Sequence, residues 1–349
     1  MTRLDLIQWK YEMKIEIITS RNSKLKETGF GSLLACGDVL DSIERMGHSV
    51  SVAICETLED LESVVRRAPD LVVLAAKYMP IEGREDMWFS EYFEQNHITF
   101  SGSNRETLKY DSDKVFAKER LTNLGIKTAK YFTAIPDQYR SEEELPILFP
   151  LFLKPLDAAN GNGIDDSSFV ENFSEFREKV LSLYKIYKQP VLVEEYLSGK
   201  EFTVAIIKNR GGEISISAIE IAPPESSGGL KILGAAAKMS DTETLKKIER
   251  HDMDSVNELA VASFQGLGAR GFGRIDVKMD GLGICYFMEA NLVPGMNHGT
   301  SYFPRACEIE NKMSYDDVIK FILDECLQRV GVEKGFNRKL KLDAASCAV

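Results

Sequence analysis

The hydrophobic and polar positions of the first hundred residues follow two alternating patterns. Short apolar runs predict four strands, at Lys14–Thr19, Val50–Cys55, Asp70–Ala75 and Ile98–Phe100. Between them, apolar residues at helical spacing predict helices at Leu33–Met46 and Leu58–Arg66. A chain that alternates strand and helix in this way forms a small doubly wound sheet of parallel strands.

The turn after the first strand contains glycines. Gly29-Phe30-Gly31 matches half of a dinucleotide-binding fingerprint, but Leu34 occupies the position where the third glycine belongs. We therefore do not expect a complete NAD site in this part of the chain.

The pattern becomes mainly antiparallel after residue 105. Helices are predicted at Ser112–Leu124, Thr242–Leu267 and Tyr315–Arg329, and a strand followed by a helix at Phe169–Tyr187. Further strands are predicted at Leu148–Lys154, Pro190–Leu197, Glu201–Lys208 and Glu213–Ile221.

Two loops break this pattern. In the loop Leu156–Asp165, Gly161 and Gly163 let backbone N–H groups converge on a phosphate, although a plain turn fits the loop equally well. The segment Ala222–Ala237 has no predicted structure of its own, and a loop of this length is typical of a lid or of disorder. Because it ends at Lys238, we expect a lid at residues 222–238 that brings this charge to a site.

A predicted hairpin carries the candidate chemistry. Arg274–Asp280 and Ile284–Asn291 alternate as strands do, and Asp280-Gly281-Leu282-Gly283 is a turn sequence. A short turn pairs Arg274 with Glu289 and Asp276 with Phe287. Side chains of a strand alternate between faces, so Arg274 and Asp276 share one face with Glu289 and Asn291.

Two carboxylates and an amide oxygen beside an arginine suit a hard cation next to an anion, and Mg²⁺ usually keeps substrate phosphates among its ligands. The alternative is a surface hairpin with its charges in water. Apolar neighbours such as Ile275 and Phe287 favour a buried hairpin, where unpaired carboxylates are costly.

Composition narrows the classes of partner. The 349 residues carry a formal net charge of −11, which argues against a nucleic-acid surface and against an anionic membrane. No apolar run reaches the length of a membrane span, and the charged N-terminus has no signal-peptide core. The six cysteines form no CxxC pair, so we expect neither a zinc site nor a disulfide framework, and a cytoplasmic location.

Several short sequences recur together in one known family. They are Ser112-Asp113-Lys114, Phe152-Leu153-Lys154-Pro155, the run from Val193 to Val204, Ala237-Lys238, Gly273-Arg274-Ile275-Asp276, Glu289-Ala290-Asn291 and Pro294-Gly295-Met296. In their order and spacing, over residues 14–330, the chain resembles the ATP-grasp ligases, and most closely the D-alanine–D-alanine ligases.

The resemblance implies an α/β (α+β ATP-grasp) fold. An extension at residues 1–13 and a Rossmann-like domain at residues 14–105 would precede two antiparallel-sheet subdomains, at residues 106–198 and 199–330. Residues 331–349 would form a flexible tail. The resemblance implies small amino-acid-like substrates. It also implies a homodimer as one oligomeric state of the protein.

The resemblance also implies a role for each matching residue. Residues that would bind ATP are Lys114, Lys154, Asn160, Gly161, Gly163, Glu194, Glu195, Tyr196, Leu197, Glu201 and, on the lid, Lys238. One or two Mg²⁺ ions would be held by Asp276, Glu289 and Asn291. Oxyanion charge would be stabilised by Arg274 and the Gly295 N–H, and a substrate carboxylate would meet Ser301 or Thr300.

These roles fit one reaction. A carboxylate has no good leaving group until the γ-phosphoryl group of ATP converts it to an acylphosphate, which an amine then attacks to form an amide. The transferring phosphoryl group carries charge that Mg²⁺, Lys238 and Arg274 would offset. Because the acylphosphate hydrolyses in water, a closing lid has a physical purpose.

Some family positions differ, and three of them belong to the site of the first substrate. The D-alanine–D-alanine ligases carry a glutamate after the first strand, where this chain has Thr28, with Glu27 one residue away. A serine of the glycine loop is replaced by Asn160, and the tyrosine after the lid lysine by Met239. We interpret this as retained activation chemistry with a changed acyl substrate.

Two alternatives remain open. In a true D-alanine–D-alanine ligase, Glu27 and Asn160 would replace the missing contacts. In a sensor or scaffold, ATP would bind without catalysis, although the complete set of Asp276, Glu289 and Asn291 argues against that reading.

Overall fold

The structure is a computed structural model. It describes residues 12–21, 29–30, 32–156, 161–209, 211–224, 232–234, 242–326 and 329. Most of the predicted extension and all of the predicted tail at residues 331–349 lie outside these ranges.

A parallel sheet forms the N-terminal part. Its strands are β1 (Lys14–Thr19), β2 (Ser49–Ile54) and β3 (Leu71–Leu74), in the order β2-β1-β3, and α1 (Leu33–Arg45) and α2 (Leu58–Arg67) connect them. The predicted alternation of strand and helix is therefore confirmed. Two short strands, β4 (Tyr78–Met79) and β5 (Met87–Trp88), and α3 (Phe89–Gln95) follow.

The fourth strand predicted at Ile98–Phe100 is wrong. Phe100 forms only an isolated bridge with Val72. The chain turns at once because Gly102 has a φ of +71°, and the Ser101 hydroxyl accepts a hydrogen bond from the Leu74 N–H at 2.9 Å. The segment is therefore held against β3 without extending the sheet.

The next two helices are α4 (Arg105–Ser112) and α5 (Lys114–Asn123). The helix predicted from Ser112 thus begins two residues later, because Ser112 belongs to the preceding helix. Asp113 separates the two helices with an extended backbone and caps α5, its side chain accepting the Phe116 N–H at 2.9 Å. Because Lys114 is the first residue of α5, this cap fixes the position of Lys114 at the start of the helix.

A four-stranded antiparallel sheet follows. It comprises β6 (Tyr131–Ala134), β7 (Leu151–Pro155), β8 (Phe169–Val170) and β9 (Val191–Glu195), in the order β6-β9-β7-β8. The apolar face of α6 (Phe173–Tyr187) packs on this sheet through Phe176, Val180 and Leu183. The opposite face of the two central strands, β9 and β7, lines a cavity that a second sheet closes.

That second sheet has five antiparallel strands in the order β12-β11-β10-β13-β14. They are β10 (Glu201–Lys208), β11 (Ile214–Ala222), β12 (Thr244–Lys247), β13 (Phe272–Met279) and β14 (Cys285–Asn291). The helix predicted at Thr242–Leu267 is wrong in its first part, because residues 244–247 pair with the edge of β11. The helix itself is α7 (Arg250–Gly266).

Two helices after β14 cover this sheet. The first, α8 (Tyr302–Asn311), was not predicted, and the last, α9, covers residues 315–326. Pro304 lies in the first turn of α8, where its missing N–H costs no helical hydrogen bond. The helix forms because Phe303, Ala306 and Cys307 are buried in the same core as β10 and β11.

A buried ion pair joins distant segments. The Asp111 carboxylate accepts hydrogen bonds from Lys77 Nζ at 2.9 Å, from the Leu292 N–H at 2.5 Å and from the Val293 N–H at 3.2 Å. Both side chains of the pair are under a tenth exposed. Asp111 therefore connects the end of the parallel sheet with the chain that leaves β14.

We expect Asp111→Asn to destabilise the protein by about 3 kcal/mol, because it leaves Lys77 buried without its counter-charge. Urea unfolding measures this cost. Asp137→Asn is the matched control, since that side chain is 86% exposed and its ion pair is long, at 3.6 Å. A loss below about 1 kcal/mol for Asp111→Asn would contradict the proposed connection.

Candidate active site

The hairpin β13–β14 has a register different from the predicted one. Asp276 pairs with Glu289 and Arg274 with Asn291, and the register shifts between Asp276 and Val277. The predicted pairing of Arg274 with Glu289 is therefore wrong. The shift is a β-bulge at Met288, which places one extra residue in β14. As a result, the two carboxylates lie directly opposite each other.

Asp276 is the centre of a hydrogen-bonded group. Its two carboxylate oxygens accept from Nε and Nη2 of Arg274, each at 3.0 Å, and Oδ1 also accepts from Thr203 Oγ1 at 2.6 Å. Asn291 lies within 3.4 Å of Oδ2. Burial raises the pKa of the Asp276 carboxyl, and the charge of Glu289 adds to this, while Arg274 opposes it.

These donors fit a hard cation. Asp276, Glu289 and Asn291 place carboxylate and amide oxygens on one face, and such oxygens are the ligands that Mg²⁺ prefers. Arg274 and Thr203 occupy three of the four lone-pair positions of the Asp276 carboxylate, and a cation would replace the long Asn291 contact at the fourth. Lys114 Nζ lies 3.6 Å from Glu289 Oε2, which places a positive charge beside the same donors.

A second charged group is almost fully enclosed. Lys118 Nζ and Lys154 Nζ each lie 2.7 Å from a different oxygen of Glu194, whose side chain is 1% exposed. Burial alone would raise the pKa of the Glu194 carboxyl, but the two lysines outweigh it and lower the pKa to about 2. Two cations around one anion leave one positive charge at this end of the cavity.

Sequence reasoning did not assign Lys118 to the site. It lies one helical turn from Lys114 on α5, a spacing that is common among solvated lysines, but the Lys118 side chain is fully buried. The spacing of two lysines on one helix face was the only sign of this role, and it is common to exposed helices.

The cavity lies between the two antiparallel sheets. It brings together Lys114, Lys154, Gly161, Glu194, Glu195, Tyr196, Leu197, Glu201, Asp276 and Glu289. Its apolar walls, which sequence reasoning missed, come from Phe152, Ile164, Ile232, Leu233 and Met288. A cavity with apolar walls at one end and paired charges at the other suits a ligand with a flat apolar part and an anionic part.

Two of these glutamates have further partners. Glu195 Oε1 accepts the Lys130 N–H at 2.7 Å, so this side chain also holds the neighbouring loop. Glu201 Oε2 accepts from Lys278 Nζ at 3.0 Å. Lys278 lines the cavity and was not predicted.

The loop that carries Gly161 and Gly163 forms one wall. Gly163 has a φ of +78°, and a Cβ there would lie 2.5 Å from Pro155 Cγ, so a larger residue would push the loop off β7. A Cβ on Gly234 would lie 2.5 Å from the Ile164 carbonyl oxygen. The described part of the segment 222–238 therefore packs directly on the glycine loop.

The residues predicted to meet a substrate carboxylate lie after β14. Ser301 Oγ accepts the Asn297 N–H at 2.9 Å and lies 2.9 Å from where a Cβ would stand on Gly295. Thr300 is exposed. The structure thus brings Ser301, and not Thr300, against Gly295.

Tyr302 is a neighbour of the site that sequence reasoning missed. Its ring lies over the Arg274 guanidinium, 5.4 Å from ring centroid to Cζ, and its hydroxyl donates a hydrogen bond to Glu243. Tyr302 therefore contacts the Arg274 guanidinium in addition to Asp276. Glu27, Thr28, Asn160, Lys238 and Met239 lie outside the described residues.

Three comparisons place this architecture among known proteins. The family model described as "D-ala D-ala ligase C-terminus" matches residues 121–324. The D-alanine–D-alanine ligase B of Clostridium perfringens is 27% identical over 91% of this chain and 99% of its own length. The D-alanine–D-alanine ligase of Alcanivorax borkumensis is 28% identical over 73% of this chain and 78% of its own length.

The fold is also that of a solved structure. The D-alanine–D-alanine ligase of Bacillus anthracis, complexed with ATP, aligns with a TM-score of 0.70 at 21% identity, over 92% of this chain and 99% of the other. No helix among the described residues combines the length and the apolar character that a membrane span requires.

Proposed function

This chain belongs to the D-ala D-ala ligase C-terminus family, and from that premise we propose that it is an ATP- and Mg²⁺-dependent carboxylate–amine ligase whose two substrates are not both D-alanine. It would activate the carboxylate of one small amino-acid-like molecule and join it to the amine of another. The products would be a dipeptide-like amide, ADP and phosphate.

One observation carries the proposal. The bulge in β14 sets Glu289 opposite Asp276, beside Arg274, at the charged end of a cavity whose other end is apolar. When bound by Asp276, Glu289 and Asn291, Mg²⁺ would offset phosphate charge and orient the transferring group. Lys114 and Lys154 would bind phosphate oxygens, and Arg274 would stabilise the oxyanion that forms at the attacked carboxyl.

The apolar end suits the adenine ring. Phe152, Ile164, Leu197, Leu233 and Met288 would enclose its faces. Glu201 would accept hydrogen bonds from ribose hydroxyls, with Lys278 Nζ holding its carboxylate in place. These walls would also exclude water from the acylphosphate.

The substrate part of the proposal depends on positions where the chain departs from its family. Thr28, Asn160 and Met239 stand where the D-alanine–D-alanine ligases hold the first D-alanine. Because a polar site discriminates strongly between ligands that do and do not satisfy its hydrogen bonds, changes at three positions that contact the first substrate in the family favour a different acyl substrate.

ADP release across a panel of D- and L-amino acids, supplied singly and in pairs, tests the function, with mass spectrometry of the products. We expect Mg²⁺-dependent ADP release with a pair other than D-alanine with D-alanine. D-alanyl-D-alanine as the favoured product would refute the substrate proposal and retain the ligase. ATP binding without ADP release under every pair would refute the ligase and favour a sensor.

A further inference from the structure

A second cleft lies outside the candidate active site, beside the start of β13. It is open to solvent, has a volume of about 360 Å³ and is lined by Lys208, Asn209, Arg270, Gly271, Glu325 and Arg329. It shares no residue with the cavity between the two antiparallel sheets. None of these residues has a part in the proposed ligase reaction.

The charges in this cleft are unequal. Lys208, Arg270 and Arg329 are cationic, and Glu325 is the only anionic residue that lines the cleft. Arg329 Nη2 donates to Glu325 Oε2 at 2.9 Å, so that carboxylate is already paired. Two positive charges therefore remain without a counter-charge within the described part of the cleft, in a protein whose net charge is −11.

Both arginines have a guanidinium nitrogen without an acceptor. Arg270 Nη2 and Arg329 Nε are buried and form no hydrogen bond within the described part of the chain. Buried donors are rarely left unsatisfied in native proteins, because the desolvation cost is not recovered. Both arginines line the same basic cleft, so an oxyanion that enters it can supply acceptors to them.

The guanidinium groups are held rigidly. Arg270 Nε donates to the Gly102 carbonyl at 2.8 Å, and its Cζ lies 5.0 Å from the centroid of the Phe100 ring. Arg329 Nη2 donates to the Phe100 carbonyl at 2.8 Å. Burial and the nearby charge of Arg329 lower the pKa of Arg270, so an anion here would relieve an unfavourable environment. A preorganised fork of this kind loses little entropy on binding.

We propose that this cleft binds a small dianion of phosphate or dicarboxylate chemistry through Arg270, Arg329 and Lys208. Guanidinium groups bind both kinds of oxyanion through paired N–H groups, and the lysine adds a point charge. The bound anion would connect Phe100 and Gly102 to the first residues of β13, the strand that carries Arg274 and Asp276. Binding would therefore stabilise the folded protein.

Thermal unfolding of the full chain tests this site with two probes, inorganic phosphate and malonate, each at about 10 mM against sodium chloride of equal ionic strength. We expect at least one probe to raise Tm by about 2 °C. Comparison of the phosphate measurement with the malonate measurement distinguishes a site for a tetrahedral phosphate from a site for a dicarboxylate. The rise should disappear in Arg270→Gln and should remain in Arg177→Gln, an arginine that is 61% exposed.

Phosphate could also bind the lysines of the candidate active site, so Lys114→Gln is measured in parallel. A rise that survives in Lys114→Gln and is lost in Arg270→Gln supports the second cleft. A rise lost only in Lys114→Gln, or no rise with either probe in the unmodified protein, overturns it. If Arg270→Gln does not fold, Lys208→Gln replaces it and should at least halve the rise. This outcome does not depend on whether the protein is a ligase.

Discussion

We expect Glu289→Gln to lower turnover by about 10³-fold while leaving the fold intact. The substitution keeps the size of the side chain and one oxygen, but removes the negative charge that stands opposite Asp276. If that charge helps to hold Mg²⁺ against the phosphates, its loss raises the barrier for phosphoryl transfer. The effect on the stability of the fold should be much smaller. The rate of ADP release at saturating substrates measures the effect.

The matched control is Glu220→Gln. Glu220 lies on β11 of the same sheet, its side chain is 15% exposed, and its ion pair with Lys200 is long at 4.0 Å. We expect its turnover to stay within about twofold of the unmodified protein, since it lies outside the cavity. Turnover of Glu289→Gln in that same range would remove Glu289 from the metal assignment. Circular dichroism and Tm of both variants separate lost chemistry from lost structure.

We expect Glu194→Gln to lower the free energy of unfolding, and this is the second large effect. It leaves the buried charges of Lys118 and Lys154 without their common partner, and breaking a buried ion pair in this way costs about 3–5 kcal/mol. Glu195→Gln, the neighbouring substitution, should cost less than about 0.5 kcal/mol, because glutamine still offers an oxygen to the Lys130 N–H. Urea unfolding of the two variants makes the comparison.

The same variant has a defined pH dependence. Because the folded-state pKa of Glu194 is lowered from 4.5 to about 2, its contribution to stability is complete above the unfolded value and is lost as pH falls towards the folded value. The difference in unfolding free energy between the unmodified protein and Glu194→Gln should therefore be constant from about pH 8 to 5. It should shrink by about 3 kcal/mol between about pH 5 and 2. A difference that does not change in this acidic range would show that the lysines do not hold the carboxylate in its charged form.

Local patterns predicted most of the elements. The alternation of strand and helix before residue 105 and the pairing of β10 with β11 follow from hydrophobic period and turn residues, which act over a few positions. Predictions were wrong where contacts with residues distant in sequence determined the secondary structure. Residues 244–247 have enough helix-forming residues to continue a helix, but the free edge of β11 supplies hydrogen bonds that make them a strand.

The candidate site shows the same division. Residue types and order placed Arg274, Asp276, Glu289 and Asn291 on one hairpin face, because alternation in a strand is local. The register was wrong, since a bulge at Met288 depends on how β14 packs against α5 and α7 as well as on the turn. Relative to the predicted register, the turn shifted the pairing by one position, which places Phe287 opposite Val277. The bulge added one more, so Glu289 lies opposite Asp276 and the face is preserved.

The sequence by itself indicated the reaction class through its resemblance to the ATP-grasp ligases. That resemblance rests on motifs that include a strand lysine before Pro155, paired glutamates at the end of β9 and the carboxylates of the hairpin. Only the tertiary structure decided which charges are paired. Lys118 and Lys154 meet on Glu194, and Lys77 meets Asp111, across separations of 34 or more residues. Burial makes such pairs obligatory, since a lone charge in the interior is far too costly, and burial is a property of the folded chain alone.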